Sequence, residues 1–194
     1  MDATATEAAT PEDRVLDAAG TLFYGRGLQA VGMDAIRAAS GVSLKRLYQL
    51  YPSKDSLVEA CLRRRDARWR DALARYADAR PAGAERVLAV FDWLHQWFEE
   101  PDFRGCAFVN SFGELGAGSE TVAALARAHK DAFRRYLTGL VTGAGAPAAL
   151  ADQLALLAEG AIVTAAISGD AEPALRAKEA ARVLLEAAVA RPNP

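Results

Sequence analysis

The stretch from Met33 to Lys54, MDAIRAASGVSLKRLYQLYPSK, constrains this chain more than any other. Its spacing predicts two short helices joined by a tight corner. Ile36 and Ala39 give the first helix an inward stripe, Gly41 supplies the backbone freedom of the corner, and Val42 plugs the angle between the helices. Ser43 is suited to cap the second helix, its hydroxyl accepting from backbone amides of the first turn. Leu47, Leu50 and Tyr51 then form a buried face, which leaves Leu44, Lys45, Arg46, Tyr48 and Gln49 pointing outwards. Pro52 stops the helix, and Ser53 can cap a third one starting near Lys54. A corner of this kind, with basic and aromatic side chains on the outer face of its second helix, has the form that enters a DNA major groove.

Gly41-Val42-Ser43, Leu47-Tyr48 and Tyr51-Pro52-Ser53-Lys54, preceded by a helix ending in Leu22-Phe23-Tyr24-Gly25-Arg26-Gly27, resemble the TetR family of transcriptional regulators. The resemblance covers roughly the first third of the chain. It implies an all-α fold: an N-terminal three-helix helix-turn-helix DNA-binding domain, then an α-helical ligand-binding and dimerisation domain. The residues that it sets against DNA are Met33, Ser43, Leu44, Lys45, Arg46, Tyr48, Gln49 and Lys54. Ser43, Tyr48 and Lys54 are suited to phosphates, and Leu44, Lys45 and Arg46 to base edges. The chain departs from the family pattern near Val31 and Gly32, where members usually carry Ser or Thr; Gly32 can still cap, but a hydroxyl contact to phosphate is lost. Arg37 and Ser40 also sit where small apolar residues are common. Arg37 is read as structural, its stem along the helix and its charge in water.

The chain has 194 residues, of which 52% are hydrophobic, enough for a sizeable core. Alanine dominates the small residues and alternating β-branched runs are lacking, so helix is expected throughout. A net charge of −2 excludes a wholly basic nucleic-acid coat, although a focal basic patch is enough to bind DNA. Cys61 and Cys106 are too few and too far apart for a disulfide scaffold or zinc site, and no metal or cofactor is expected. Residues 1–10 read as a disordered tail, acidic and without the basic start of a signal peptide. The most apolar run, Leu154 to Ser168, is interrupted by Glu159 and reads as too short to span a bilayer. A cytoplasmic protein without a membrane partner is the expectation.

Thr10, Pro11 and Asp13 open the first helix with a capping box, Val15, Ala18, Ala19, Leu22 and Phe23 face inwards, and Gly27 suits a left-handed end. The domains are drawn at 11–53 and 54–194. A long helix from Lys54 to about Tyr76 joins them, with Leu57, Cys61 and Leu62 inwards and Arg63, Arg64, Arg65, Arg68 and Arg70 on a solvated face. Pro81 and Gly83 mark a break. The next helix is apolar over most of its circumference, through Val87, Val90, Phe91, Trp93, Leu94, Trp97 and Phe98. The segment Cys106 to Leu115 mixes bulky apolar residues with a few polar handles, as small-molecule pockets do. The candidate ligand-binding residues are Trp93, Trp97, Cys106, Asn110, Phe112 and Glu114, with His129 and Phe133 from the following helix.

Two last helices, Ala148 to about Ser168 and Pro173 to about Ala190, are too apolar to bury everything internally and suggest a self-association surface, with Ala161 and Ala165 at its centre. The resemblance gives the same pair as a homodimer interface. The expectation is a repressor of an operator in double-stranded DNA, released by a small, mostly apolar effector. One alternative is a thiol-sensing regulator acting through Cys106. Another is an enzyme using Cys106 and His129, for which no third orienting group is recognisable in the sequence.

Overall fold

The computed structural model describes residues 9–190, so most of the tail expected over residues 1–10 lies outside the described residues. Among these the chain is built of α1 (Pro11–Arg26), α2 (Met33–Ser40), α3 (Leu44–Leu50), α4 (Lys54–Asp78), α5 (Ala84–Phe98), α6 (Ala107–Leu115), α7 (Glu120–Gly143), α8 (Leu150–Ser168) and α9 (Glu172–Val189), with no strand. The caps are local chemistry and stand where the residues put them. Thr10 Oγ1 accepts from the Asp13 amide at 3.1 Å, and the Asp13 carboxylate accepts from the Thr10 amide at 3.3 Å. Ser53 and Ser56 close a second box at the start of α4, and Ser119 accepts from the Val122 amide to start α7.

The first three helices pack around Val15, Ala19, Ile36, Val42 and Leu47 and rest on the beginning of α4 at Leu57 and Val58. Leu47 is fully buried, and burial of one such side chain contributes about 2 kcal/mol. The inward face of α2 differs by one residue from the expected stripe: Ala39 is exposed and Ser40 is buried. The Ser40 hydroxyl donates to the Arg37 carbonyl at 3.3 Å and accepts from the Val42 amide at 3.4 Å, so it fastens the corner and fills no apolar site. Gly41 is left-handed, as the turn requires (φ 65, ψ 16). Gly27 is not: with φ 89 and ψ 155 the chain leaves α1 extended and runs at once against α6.

In the rest of the chain α5, α8 and α9 pack together, and α7 lies against α8 and α6. Val90, Phe91 and Leu94 belong to the same buried core as Leu154, Ile162, Phe133 and Leu137. Helix α8 begins four residues before Leu154 and has 19 residues, so by length and composition it is long and apolar enough to cross a membrane, which corrects the sequence expectation. Here it packs as a core helix. Leu154, Ala158 and Ile162 are buried by neighbouring helices, and Glu159 pairs with Lys130 at 2.6 Å. Ala161 and Ala165 also lie inside the protomer, 5% and 1% exposed, so they are not the outward face of α8. Small side chains there admit close helix approach. The outward apolar residues are Leu156, Val163 and Ile167 on α8 and Leu175, Val183 and Val189 on α9; Leu156 is 74% and Ile167 83% exposed.

A candidate nucleic-acid interface and effector cavity

Helix α3 is positioned from below by Leu47 and from behind by Val42 and Tyr51, all buried, and Ser43 Oγ accepts from the Arg46 amide at 3.3 Å. The Tyr51 hydroxyl donates to Glu12 at 3.0 Å, which ties the end of α3 to the start of α1. Leu44, Lys45, Arg46, Tyr48 and Gln49 project from the opposite face into solvent, and Ser43 is exposed beside them. Met33 and Lys54 are half-buried at the starts of α2 and α4. From Met33 to Lys54 there are four basic residues and one acidic one, Asp34. Asp34 lies 3.7 Å from Arg37, which leaves Lys45, Arg46 and Lys54 as the charge of this surface. A focal positive patch therefore exists on a chain of net charge −2.

A cavity of about 720 Å³ lies between α1, with the turn after it, and the helices α4, α5 and α6. Its walls come from α1 (Leu16, Gly20, Tyr24), α4 (Cys61, Arg65, Trp69), α5 (Trp93, Trp97) and α6 (Ala107, Asn110, Glu114). Its floor is aromatic. Trp93 and Trp97 stack at 5.7 Å between ring centroids, and Trp69 meets both edge-on, at 5.1 and 5.8 Å. Its rim is charged, with Arg64, Arg68, Glu100, Asp102 and Arg104. Burial and the neighbouring Asp102 charge push the Glu100 carboxyl above the usual carboxylate range.

Five hydrogen bonds tie α1 and the turn after it to α6 and the loop before it. The Tyr24 hydroxyl donates to the Gly105 carbonyl and accepts from the Arg104 amide, both at 2.8 Å. The Glu114 carboxylate accepts from the Leu28 amide at 3.0 Å and from the Gln29 amide at 2.9 Å. Gln29 Nε2 donates to the Glu114 carbonyl at 2.7 Å. Because Glu114 comes so close, a Cβ on Gly27 would stand 3.0 Å from its Oε1. Only glycine suits that position.

Of the expected ligand-binding residues, Trp93, Trp97, Asn110 and Glu114 line the cavity, although Glu114 is spent on backbone amides and Asn110 donates to the Arg104 carbonyl. Cys106, Phe112, His129 and Phe133 do not line it. Phe112 is on the outer side of α6 and half exposed. Phe133 borders a smaller hollow of about 130 Å³ with Trp69 and Tyr136. His129 is buried, donates through Nδ1 to Asp66 at 2.7 Å, and stacks on Phe108 at 4.0 Å. Cys106 lies between His129 and Lys130, whose Nζ is 3.2 Å from its Sγ. Burial pushes its thiol up, but the His129 hydrogen bond and the charges of Lys130 and His129 outweigh it and hold the thiol below its ordinary range. The sequence reading missed Tyr24, Arg65 and Trp69. Cys61, Arg65 and Trp69 recur at four-residue spacing on α4, the row that would have shown them.

The family profile described as bacterial regulatory proteins, tetR family, matches residues 15–61. A solved structure of a regulator assigned to the same family, SAV143 of Streptomyces avermitilis, is 33% identical with a TM-score of 0.78, over 92% of this chain and 98% of that one. SCO4454, a TetR-family transcriptional regulator from Streptomyces coelicolor, superposes with a TM-score of 0.84 at 27% identity, over 92% of this chain and 90% of its own. An uncharacterized HTH-type transcriptional regulator of Mycobacterium tuberculosis, Rv1255c, is 32% identical over 121 residues; the match spans 60% of this chain but only 59% of that relative. A helix-turn-helix with an exposed basic α3, carried by an all-helical body that matches these structures over nearly its whole length, leads to one assignment. The chain belongs to the TetR family of bacterial regulatory proteins.

Proposed function

We propose that this chain is a cytoplasmic transcriptional repressor that binds operator DNA as a homodimer and is released by a small, mostly apolar effector. In this reading residues 11–53 read the DNA, with Met33, Ser43, Leu44, Lys45, Arg46, Tyr48, Gln49 and Lys54 at the interface, while residues 54–194 bind effector and dimerise. The exposed apolar residues of α8 and α9 support self-association, since they form an outward stripe that water meets unfavourably. The observation that carries the regulatory part is the place of the cavity. Its wall crosses from α1 to α4, α5 and α6, so an occupant touches the reading head and the body together. Such a ligand has different contacts in two head positions, which is what shifts an equilibrium between them. In-vitro selection from random duplexes with the full chain tests the DNA part. Enrichment of paired half-sites one or more helical turns apart is expected; a pool that stays random after selection refutes it.

A second reading is favoured by the surroundings of Cys106, whose lowered thiol and flanking Lys130 suit a thiol-sensing regulator. Asp66 supplies the orienting partner for His129 that the sequence did not disclose. Even so, Cys106 and His129 are set apart from the cavity wall, and the TetR family comprises regulators and not enzymes. Loss of operator binding on alkylation of the parent but not of Cys106→Ser would support the thiol reading; equal loss in both would remove it.

A further inference from the structure

The charges around the cavity are unequally spent. Arg64 is paired with Asp17 and reaches Asp13, and Arg68 lies 3.4 Å from Asp17. Glu114 is held by the Leu28 and Gln29 amides. The Arg104 guanidinium turns to the Phe103 carbonyl at 2.8 Å. Arg65 is different. Its guanidinium lies 3.6 Å over the Tyr24 ring, and among the described residues it has neither an ion pair nor a hydrogen bond. It is half-buried, one helical turn from Trp69, and so stands between the aromatic floor and the rim. A guanidinium stacked on an aromatic face keeps the N–H donors of its edge free, in the planar fork that matches a carboxylate. Half-buried, and near enough to Glu100 to lower its carboxyl without pairing with it, Arg65 gains from a ligand carboxylate placed in its fork.

We propose that the effector, on the reading of this cavity as the effector site, is an aromatic carboxylate: a flat body of two or three rings on Trp69, Trp93 and Trp97, with its carboxylate in the fork of Arg65. The volume of about 720 Å³ accommodates a molecule of that size. Glu100 and Asp102 on the same rim argue for a cation instead, but among the described residues neither forms an ion pair with Arg65, whose guanidinium lies on Tyr24 with its edge donors free. The aromatic floor accepts either sign of ligand. Arg65 decides between them. It also connects the ligand to the head, because the ring it covers belongs to Tyr24, whose hydroxyl holds the Gly105 carbonyl and the Arg104 amide. A carboxylate that draws Arg65 away from Tyr24 loosens that tie.

Three matched probes test this by calorimetry on the full chain: 2-naphthoate, 2-naphthamide and 2-naphthylmethylammonium. The anion should bind about tenfold or more tightly than the amide, as expected of a bidentate guanidinium pair, and the cation weakest. Arg65→Gln should bring anion and amide to within about threefold, and Arg65→Lys should fall between, having charge without the fork. Trp69→Phe should weaken all three alike. Unfolding curves of each variant verify that it is folded. Equal binding of anion and amide by the parent, strongest binding of the cation, no binding of any probe, or no effect of Arg65→Gln each overturns the proposal. Operator titration in the presence of naphthoate separates the two claims: binding that depends on Arg65 but leaves operator affinity unchanged keeps the anion site and removes the effector role.

Discussion

Glu114→Ala removes the carboxylate that holds the chain just after α1, and its cost follows from the environment of the two amides it accepts from. The Leu28 residue is buried, so its amide loses a charge-assisted bond with little chance of water in its place; about 1.5 kcal/mol is the low end for such a bond. The Gln29 amide is exposed and water replaces the carboxylate there, which reduces its share to about 0.5 kcal/mol. The sum, about 2 kcal/mol, corresponds to a roughly 30-fold loss of protection at these amides if they open locally. Hydrogen exchange on the full chain, read at Leu28 and Gln29, measures it directly. Glu114→Gln keeps one acceptor oxygen and should lose about half as much free energy. Gly27→Ala forces a Cβ to within 3.0 Å of the same carboxylate, at a φ of 89° that strains an alanine, so its effect and that of Glu114→Ala should not add. Unchanged protection at Leu28 in Glu114→Ala, or full additivity of the pair, would refute the idea that this carboxylate is the tie between head and body.

The other predictions concern separate surfaces. Tyr48→Ala and Lys54→Ala should weaken binding to every duplex, with a shallower salt dependence for Lys54→Ala, whereas Lys45→Ala and Arg46→Ala should relax base preference at a cost of about 1–3 kcal/mol at one position; equilibrium titrations against selected and scrambled duplexes distinguish the two classes. Leu156→Glu and Ile167→Glu, exposed in the protomer, should leave it folded and dissociate the proposed dimer, and sedimentation of an intact dimer would place the interface elsewhere. The two cysteines should alkylate in different pH ranges: Cys106 with a midpoint below its ordinary value of about 9, and Cys61, pushed up by burial despite Arg64, only near 12. The lowered Cys106 value also fixes a sign for stability. The thiolate's contribution is fully present above the unfolded value near 9 and is lost as pH falls through the lower folded value, so Cys106→Ser should narrow its stability deficit on acidification.

What the sequence disclosed and what it concealed divide along the range of the interactions. The caps at Thr10, Ser43 and Ser53 depend on residues three positions away, and they were legible for that reason. The outer face of α3 was legible because Gly41, Val42 and Leu47 fix its phase together. Helix α2, alone, has eight residues, too few for a period of 3.6 to tell Ala39 from Ser40 as the inward residue. Glu114 read as a pocket handle because its amide partners are 85 and 86 positions away, and only docking of α1 on α6 brings them together. The same docking turns Arg65 inwards. A run of arginines reads as a solvated face until a tyrosine from another helix covers one of them. Cys106, His129 and Asp66 were likewise separated by too much chain for a triad to be seen, although two of its members were noticed.

Helix α4 contains neither glycine nor proline in its 25 residues, and this makes it a lever as well as a connection. Trp69, held among Trp93, Trp97, His129 and Phe133, is a natural fulcrum. Lys54 lies fifteen residues away, or about 22 Å at 1.5 Å per residue, so a tilt of about 10° at the tryptophans sweeps the start of the helix through about 4 Å. In the proposed homodimer, two such arms swinging in opposite directions would change the span between recognition helices by about 8 Å, a sizeable fraction of the roughly 34 Å turn of the duplex. A molecule at the fulcrum needs only a small mechanical input to put both reading helices out of register.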